Sequence, residues 1–249
     1  MKVRIAYLDE PPLYWTGPDG SATGADIELA DVVLRAIGAT VIEHHGTSFE
    51  ELLPGVQAGR WDMNVPIFAT AERAQHVAFS LPVWAMEDGF VVRRGNPKAL
   101  TSYEAVAVRA DARLGVIPAQ LQYRAARSAG VGDGQFVEFK DQPHAVAALL
   151  AGKIDAFTGT ALGGRALAGA NPELEAVAHE PGGKGSAPVG AFSFGKADTR
   201  LLEAVNRELR RYLGSADHRA RMARYGFTST EIDGVLPNAR SEIRSKRRT

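Results

Sequence analysis

Arg73 closes the segment Thr70-Ala71-Glu72-Arg73. Its guanidinium offers a planar fork of N–H donors that matches a carboxylate in two parallel bonds. Taken alone, the same arginine serves equally to pair with a neighbour such as Glu72 at the start of a helix. Thr70 is placed either to cap that helix or to touch what Arg73 holds. Glu10, just ahead of Pro11-Pro12, is a solvated loop acid or, beside aromatic rings, one half of a cation site, with Asp9 the weaker alternative. The rings of Phe49 and Phe68 are core residues or faces of such a site. Gln120 and Gln142 carry amides suited to a ligand or to solvent. Other chemistry is excluded by composition. The chain has no cysteine, so disulfides, thiolate zinc sites and cysteine nucleophiles are absent. Of six histidines only His44 and His45 are adjacent, and no His-Glu-x-x-His spacing occurs. Neighbours on a strand point apart, so that pair reads as surface and no metal site is expected.

These side chains are carried by alternating strand and helix patterns, the mark of an α/β architecture. A strand is expected over residues 3–7, ending at Pro11-Pro12. A helix follows from residue 25, with Ile27, Ala30, Val33, Leu34 and Ile37 on one face and Gly38 as its stop. Strands are expected over 40–43 and 61–65, separated by a helix that Ser48 and Glu51 open as a capping box. The design then repeats: strands over 113–117, 135–139 and 154–158, helices over 120–129 and 145–151. A strand over 189–194 and a helix over 199–213 close the pattern. Two series joined by a connector at 90–97 suggest two lobes. The basic segment 240–249 reads as a solvated tail.

The 249 residues carry 29 basic and 29 acidic side chains, so there is no broad electrostatic footprint for nucleic acid, and any anion site must be local. No apolar run reaches the ~18 residues needed to span a bilayer, so no direct membrane insertion is expected. The alternating start, Met1 to Tyr7, reads as a strand and not as a signal peptide. The expectation is therefore a cytoplasmic protein or one whose export signal has been trimmed.

Three motif groups occur in order. Pro11-Pro12-Leu13, Asp19-Gly20 and Gly24-Ala25-Asp26-Ile27-Glu28-Leu29-Ala30 come first. Gly59-Arg60-Trp61-Asp62, Thr70-Ala71-Glu72-Arg73 and Phe79-Ser80-Leu81-Pro82 follow, and Leu149-Leu150-Ala151-Gly152-Lys153-Ile154-Asp155-Ala156 is third. Together they resemble the family 3 solute-binding proteins, the polar amino-acid receptors of bacterial ABC importers, over roughly residues 2 to 230. The resemblance implies an α/β, two-lobed type II periplasmic-binding fold with two crossing hinge strands and ligand held between the lobes. Lobe one is expected to comprise residues 1–90 plus 192–249, and lobe two residues 91–191, with residues 90–92 and 189–194 as the joining strands. It also implies a monomeric, periplasmic or extracellular binding protein served by an ABC permease and ATPase, with no cofactor.

By the same resemblance, Arg73 grips the ligand's carboxylate, Phe49 lies over the ligand, and Phe68 stands where amino-acid binders often carry a small hydroxyl residue. Glu10 replaces a common aromatic. Thr160 falls where an aspartate usually holds the α-ammonium, so ordinary α-amino acids are disfavoured. Ala119-Gln120 replaces the family's Gly-Thr, leaving backbone N–H groups at that helix start for a carboxylate. Glu10, Phe49, Phe68 and Arg73 resemble the cage of ectoine and hydroxyectoine receptors, although Leu13 stands where a further ring is implied, with Tyr14 and Trp15 next. Opines, betaines and modified amino acids share the same carboxylate-plus-bulky-cation chemistry. Two competing functions follow from the same scaffold. A cyclohexadienyl-dehydratase-like enzyme would take Glu10 or His144 as its acid; a sensory binding domain would act without a transporter.

Overall fold

The computed structural model describes residues 1–179 and 187–236. The basic segment 240–249 lies outside them. The chain begins with β1 (Lys2–Tyr7), the small pair β2 (Trp15–Thr16) and β3 (Ala22–Thr23), and α1 (Ala25–Ala36). Next come β4 (Val41–Gly46), α2 (Phe49–Gln57), β5 (Met63–Phe68) and the short β6 (Ala78–Phe79) and β7 (Trp84–Ala85). A second series follows: β8 (Asp88–Arg93), α3 (Tyr103–Ala107), β9 (Leu114–Val116), α4 (Leu121–Ser128) and β10 (Phe136–Glu138). It continues through α5 (Gln142–Leu150), β11 (Ala156–Thr160), α6 (Ala161–Ala170) and β12 (Leu174–Ala178). The chain returns with β13 (Val189–Phe194) and ends in α7 (Thr199–Tyr212), α8 (Ala216–Ala223) and α9 (Ser229–Asp233).

Two main sheets result. The first has the order β4-β1-β5-β13-β6, with β7 also on β13; the second has the order β10-β9-β11-β8-β12. In each, the returning strand runs antiparallel to its parallel neighbours: β13 against β5, and β8 against β11. The two strands expected as free connectors are therefore built into the sheets. Phe90–Val92 pairs on both edges within the second sheet, and Val189–Phe194 pairs with β5, β6 and β7 in the first. The crossings between sheets lie between β7 and β8 and between β12 and β13.

Burial follows the two-residue period of a strand. On β8, Phe90 and Val92 enter one cluster with Leu114 and Val106, while Val91 joins Leu149, Ile154 and Phe157 on the opposite face. Both faces are covered, so the strands read as near-continuous apolar runs. The first sheet has its own core around Ile5, Leu34, Leu52, Met63 and Phe192, and Leu162 of α6 reaches into it. At the start of α1, Gly24 has φ 126°, and a Cβ there would sit 2.4 Å from the Leu13 carbonyl oxygen. Only glycine permits that approach, which presses the Pro11–Tyr14 loop onto the helix.

Several boundaries differ from expectation, among them the strand expected over 154–158, which is β11 (Ala156–Thr160). The strand expected over 61–65 is β5, which runs to Phe68 because Ile67 and Phe68 pair with Ala191 and Gly190 of β13; the Trp61 indole, ahead of it, donates to Asn64 at 2.5 Å. The helix expected from Ala145 starts at Gln142, since Asp141 accepts the His144 N–H at 3.0 Å and Pro143 suits the first turn. Strand β4 runs on to Gly46, so His44 stays on the strand and meets Asp31 at 3.0 Å. No cluster of metal-ligating groups occurs among the described residues, and no described helix is long and apolar enough to cross a membrane.

Candidate functional site

Loops at the carboxyl ends of β1, β5, β9 and β11 face one cleft between the two sheets, the position where open α/β sheets leave room for a ligand. The cleft narrows to a pocket of about 600 Å3, counted with its open mouth. Its lining includes Glu10, Phe49, Phe68 and Arg73 from the first-sheet side, and Gln120, Gln142 and Thr160 from the second. Four helices start at this pocket, contributing Phe49, Leu121, Gln142 and the Thr160 cap of α6. Their unsatisfied N–H groups and dipoles favour negative charge.

Arg73 is buried at 6% exposure. Its guanidinium donates to the Phe68 carbonyl at 2.8 Å and, across the cleft, to the Ala119 carbonyl at 3.0 Å. It stacks over the Phe49 ring with its carbon 5.1 Å from the centroid. A guanidinium has five N–H donors, so both its plane and its position are set while donors remain for an anion. Desolvation lowers its pKa, and Tyr14 and Glu10 oppose that shift. The alternative pairing with Glu72 does not form; Glu72 reaches across to Arg124 instead. Thr70 stands behind this wall, its hydroxyl accepting the Arg73 backbone N–H at 3.1 Å, and Ala119 likewise enters through its carbonyl alone.

Glu10 lines the same side of the pocket as Arg73, and the charge of Arg73 bears on it. Its carboxylate accepts from the Tyr14 hydroxyl at 3.3 Å and from the Gln120 amide of the opposite wall. Burial pushes its pKa up to about 7; the bonds from Tyr14 and Gln120 and the charge of Arg73 pull it down, and Asp9 adds to the rise. At neutral pH the group therefore stands near half-ionisation, and a cation beside it would drive it to the charged form.

The second wall is neutral. Thr160 caps α6, its hydroxyl accepting the Gly163 N–H at 3.0 Å. Gln142 lies in the first turn of α5, and Gln122 donates to Asp88 at 2.8 Å. Asp88 also accepts from Tyr103 at 3.0 Å; burial raises its pKa, and these two donors oppose the rise. His144 sits outside the pocket, paired with Asp141 at 2.5 Å, which removes one of the two acids that an enzymatic reading would use.

The lining also holds residues outside the expected site, among them Trp84, Gln122, Phe157 and Thr158, and Tyr14, named above only as a following ring. Tyr14 and Gln122 follow within four residues of Glu10 and Gln120, so their proximity is a local signal. Trp84 carries none, because it arrives only through the pairing of β7 with β13.

The pattern describing the bacterial extracellular solute-binding proteins, family 3, matches residues 3–228. A probable amino-acid ABC transporter periplasmic-binding protein of Sinorhizobium fredii is 28% identical over 248 residues, covering 97% of this chain and 82% of its own. A probable histidine-binding protein of Campylobacter jejuni is 27% identical over 192 residues, 76% of this chain and 71% of its own. Among solved structures, EhuB in complex with hydroxyectoine superposes with a TM-score of 0.82 at 28% identity, covering 94% of this chain and 93% of that one.

Proposed function

Because the chain belongs to the bacterial extracellular solute-binding proteins, family 3, and has their two-lobed type II periplasmic-binding fold, we propose that its cleft captures a small zwitterion for an ABC importer. The ligand carries a carboxylate and a bulky or delocalised cation, as ectoines, betaines and opines do. One observation carries this reading: a buried guanidinium, positioned by two carbonyls, and a carboxyl group line a single pocket together with Phe49 and Phe68. Arg73 and the helix starts take the carboxylate. Glu10 and the rings take the cation. Thr160 offers one neutral oxygen where a primary ammonium needs about three acceptors, which disfavours standard amino acids. The likeness to a hydroxyectoine complex supports the ligand class, and the Sinorhizobium relative supports the partners, a permease and an ATPase at a membrane facing the periplasm or the exterior.

The expected division, residues 1–90 plus 192–249 and residues 91–191, moves at both joints: for the described residues we take the lobes as 1–87 plus 189–236 and 88–179, because β8 with Phe90 belongs to the second sheet and β13 to the first. A thermal-shift screen of amino acids, ectoines, betaines and opines tests the function. A ligand at 100 times its dissociation constant stabilises by about 2.7 kcal/mol, a readily measured shift. A response to ectoines, betaines or opines is expected. Tight binding of glutamine, histidine or arginine with no such response would overturn the ligand class.

A further inference from the structure

We propose that Trp84 is a ligand-facing aromatic wall of this site and that Asp26, fully buried behind it, is the positioning residue that fixes its indole. The inference rests on the zwitterion reading above.

Trp84 lines the pocket beside Phe68, and the two rings meet edge to face with centroids 5.2 Å apart at 88°. The sheet dictates this contact. Gly190 of β13 pairs with Phe68 on one side and Trp84 on the other, so the three residues form one row across β5, β13 and β7. A Cβ at position 190 would lie 2.1 Å from the indole, so the ring lies flat across the bare glycine. Any side chain there would push Trp84 off its bed.

The far edge of the indole is held by its N–H, which donates to both Asp26 oxygens at 3.2 and 3.3 Å. Asp26 has no exposure, and its carboxyl group makes no other hydrogen bond among the described residues. Burying a carboxyl group with a single donor costs stability relative to an apolar side chain. What the group does here is set the plane of a ring that faces the ligand. Its backbone N–H meanwhile donates to the Leu13 carbonyl at 2.9 Å, so one residue at the start of α1 ties together the Leu13 and Trp84 parts of the lining. Leu13 is aliphatic, and Trp84 adds an indole to the same lining. An indole is the best π-face for an alkylated or delocalised cation, so this wall selects for such a head group.

The test uses calorimetric titration of hydroxyectoine, glycine betaine and arginine into the wild type and into Trp84→Leu, Trp84→Phe, Asp26→Asn, Asp26→Leu and Arg73→Ala, each first checked for cooperative unfolding. Trp84→Leu should weaken the best-bound cation by about tenfold, with Trp84→Phe between it and the wild type. Asp26→Leu should match Trp84→Leu. Asp26→Asn, whose amide oxygen still accepts the indole N–H, should stay close to wild type. In nitrogen-15 spectra, the indole N–H signal identified by its loss in Trp84→Phe should shift and exchange faster in Asp26→Leu but not in Asp26→Asn. If Arg73→Ala abolishes binding while Trp84→Leu leaves it unchanged, the Trp84 wall is wrong and the zwitterion reading stands. An indole signal indifferent to Asp26→Leu overturns the positioning role. Failure of the wild type to bind any of the three probes overturns both readings.

Discussion

The two walls of the cleft are built alike and charged differently. The first-sheet wall holds Arg73 and Glu10, its cation and its carboxyl group, together with Tyr14, Phe49, Phe68 and Trp84. The second lines the same space with Gln120, Gln122, Gln142, Thr158, Thr160 and glycine, none of them ionisable. Strand ends and helix starts place both sets, so the contrast lies in side chains alone. It teaches a division of labour. In the function proposed above, charge and ring faces on the first wall select the ligand, and the neutral second wall adds no further charge to desolvate.

Removing the fork breaks this contrast most severely. Arg73→Ala should reduce affinity for a carboxylate ligand by about 2–5 kcal/mol while leaving far-UV circular dichroism unchanged. Arg73→Lys should fail substantially too, because an ammonium cannot serve the Phe68 carbonyl, the Ala119 carbonyl and a bidentate anion in one plane.

Glu10 tests the same wall through pH. With its pKa raised to about 7 by burial, a cation in the pocket lowers it again and binding releases a proton. Affinity for a cation-bearing ligand should therefore fall as pH drops below about 7, by up to about tenfold per unit, and level off above. Glu10→Gln should flatten that profile and weaken binding at pH 8. The empty protein behaves in the opposite sense: Glu10's contribution to stability is present below its unfolded pKa and is lost as pH rises through 7. Calorimetry and thermal melts across pH 5 to 8 check both halves.

Adding charge to the neutral wall sharpens the comparison. Thr160→Asp keeps a residue able to cap α6 and supplies the missing carboxylate. Affinity for glutamine or arginine should rise by about tenfold, with little change for betaines, read by calorimetry. Closure provides a smaller signal. If the neutral wall swings onto a ligand held by the first, small-angle scattering should record a decrease of a few per cent in radius of gyration; an unchanged value with binding confirmed would place the site on one wall.

The smallest effect concerns the hinge of the second wall's loop. Ala119 has φ 63°, a left-handed conformation that strains any residue with a Cβ. Ala119→Gly relieves about 1–2 kcal/mol of strain and adds up to about 1 kcal/mol of unfolded-state entropy. Stability should rise by about 0.5 kcal/mol in denaturant titrations, with the Arg73 bond to this carbonyl kept.

Much of the first wall was legible in the sequence because its residues stand in motifs with fixed spacing. Arg73 sits three residues after its capping threonine, and Glu10 stands against a proline pair. The second wall was legible in position but not in role: Gln120 and Gln142 were ambiguous amides until their placement showed one bonded to Glu10 and the other in the first turn of α5. The pairing of Arg73 with Glu72 looked reasonable on adjacency, and geometry replaced it with the Glu72–Arg124 contact across the cleft.

The sequence by itself determined the α/β class and the main strands and helices of both series. These depend on hydrogen bonds and caps closed within three or four residues, and on apolar periodicity along one segment. Ser48 caps α2 and Asp141 caps α5 with no help from distant chain. Only the tertiary structure decided what the elements enclose. Trp84 meets Phe68 because β13 returns between their strands, and Asp26 meets Trp84 over 58 residues of sequence separation. Arg73 reaches Ala119 over 46 residues, and Gln120 reaches Glu10 over 110. Such contacts exist only once sheet order and the two crossings bring the walls together, and no local pattern encodes that order.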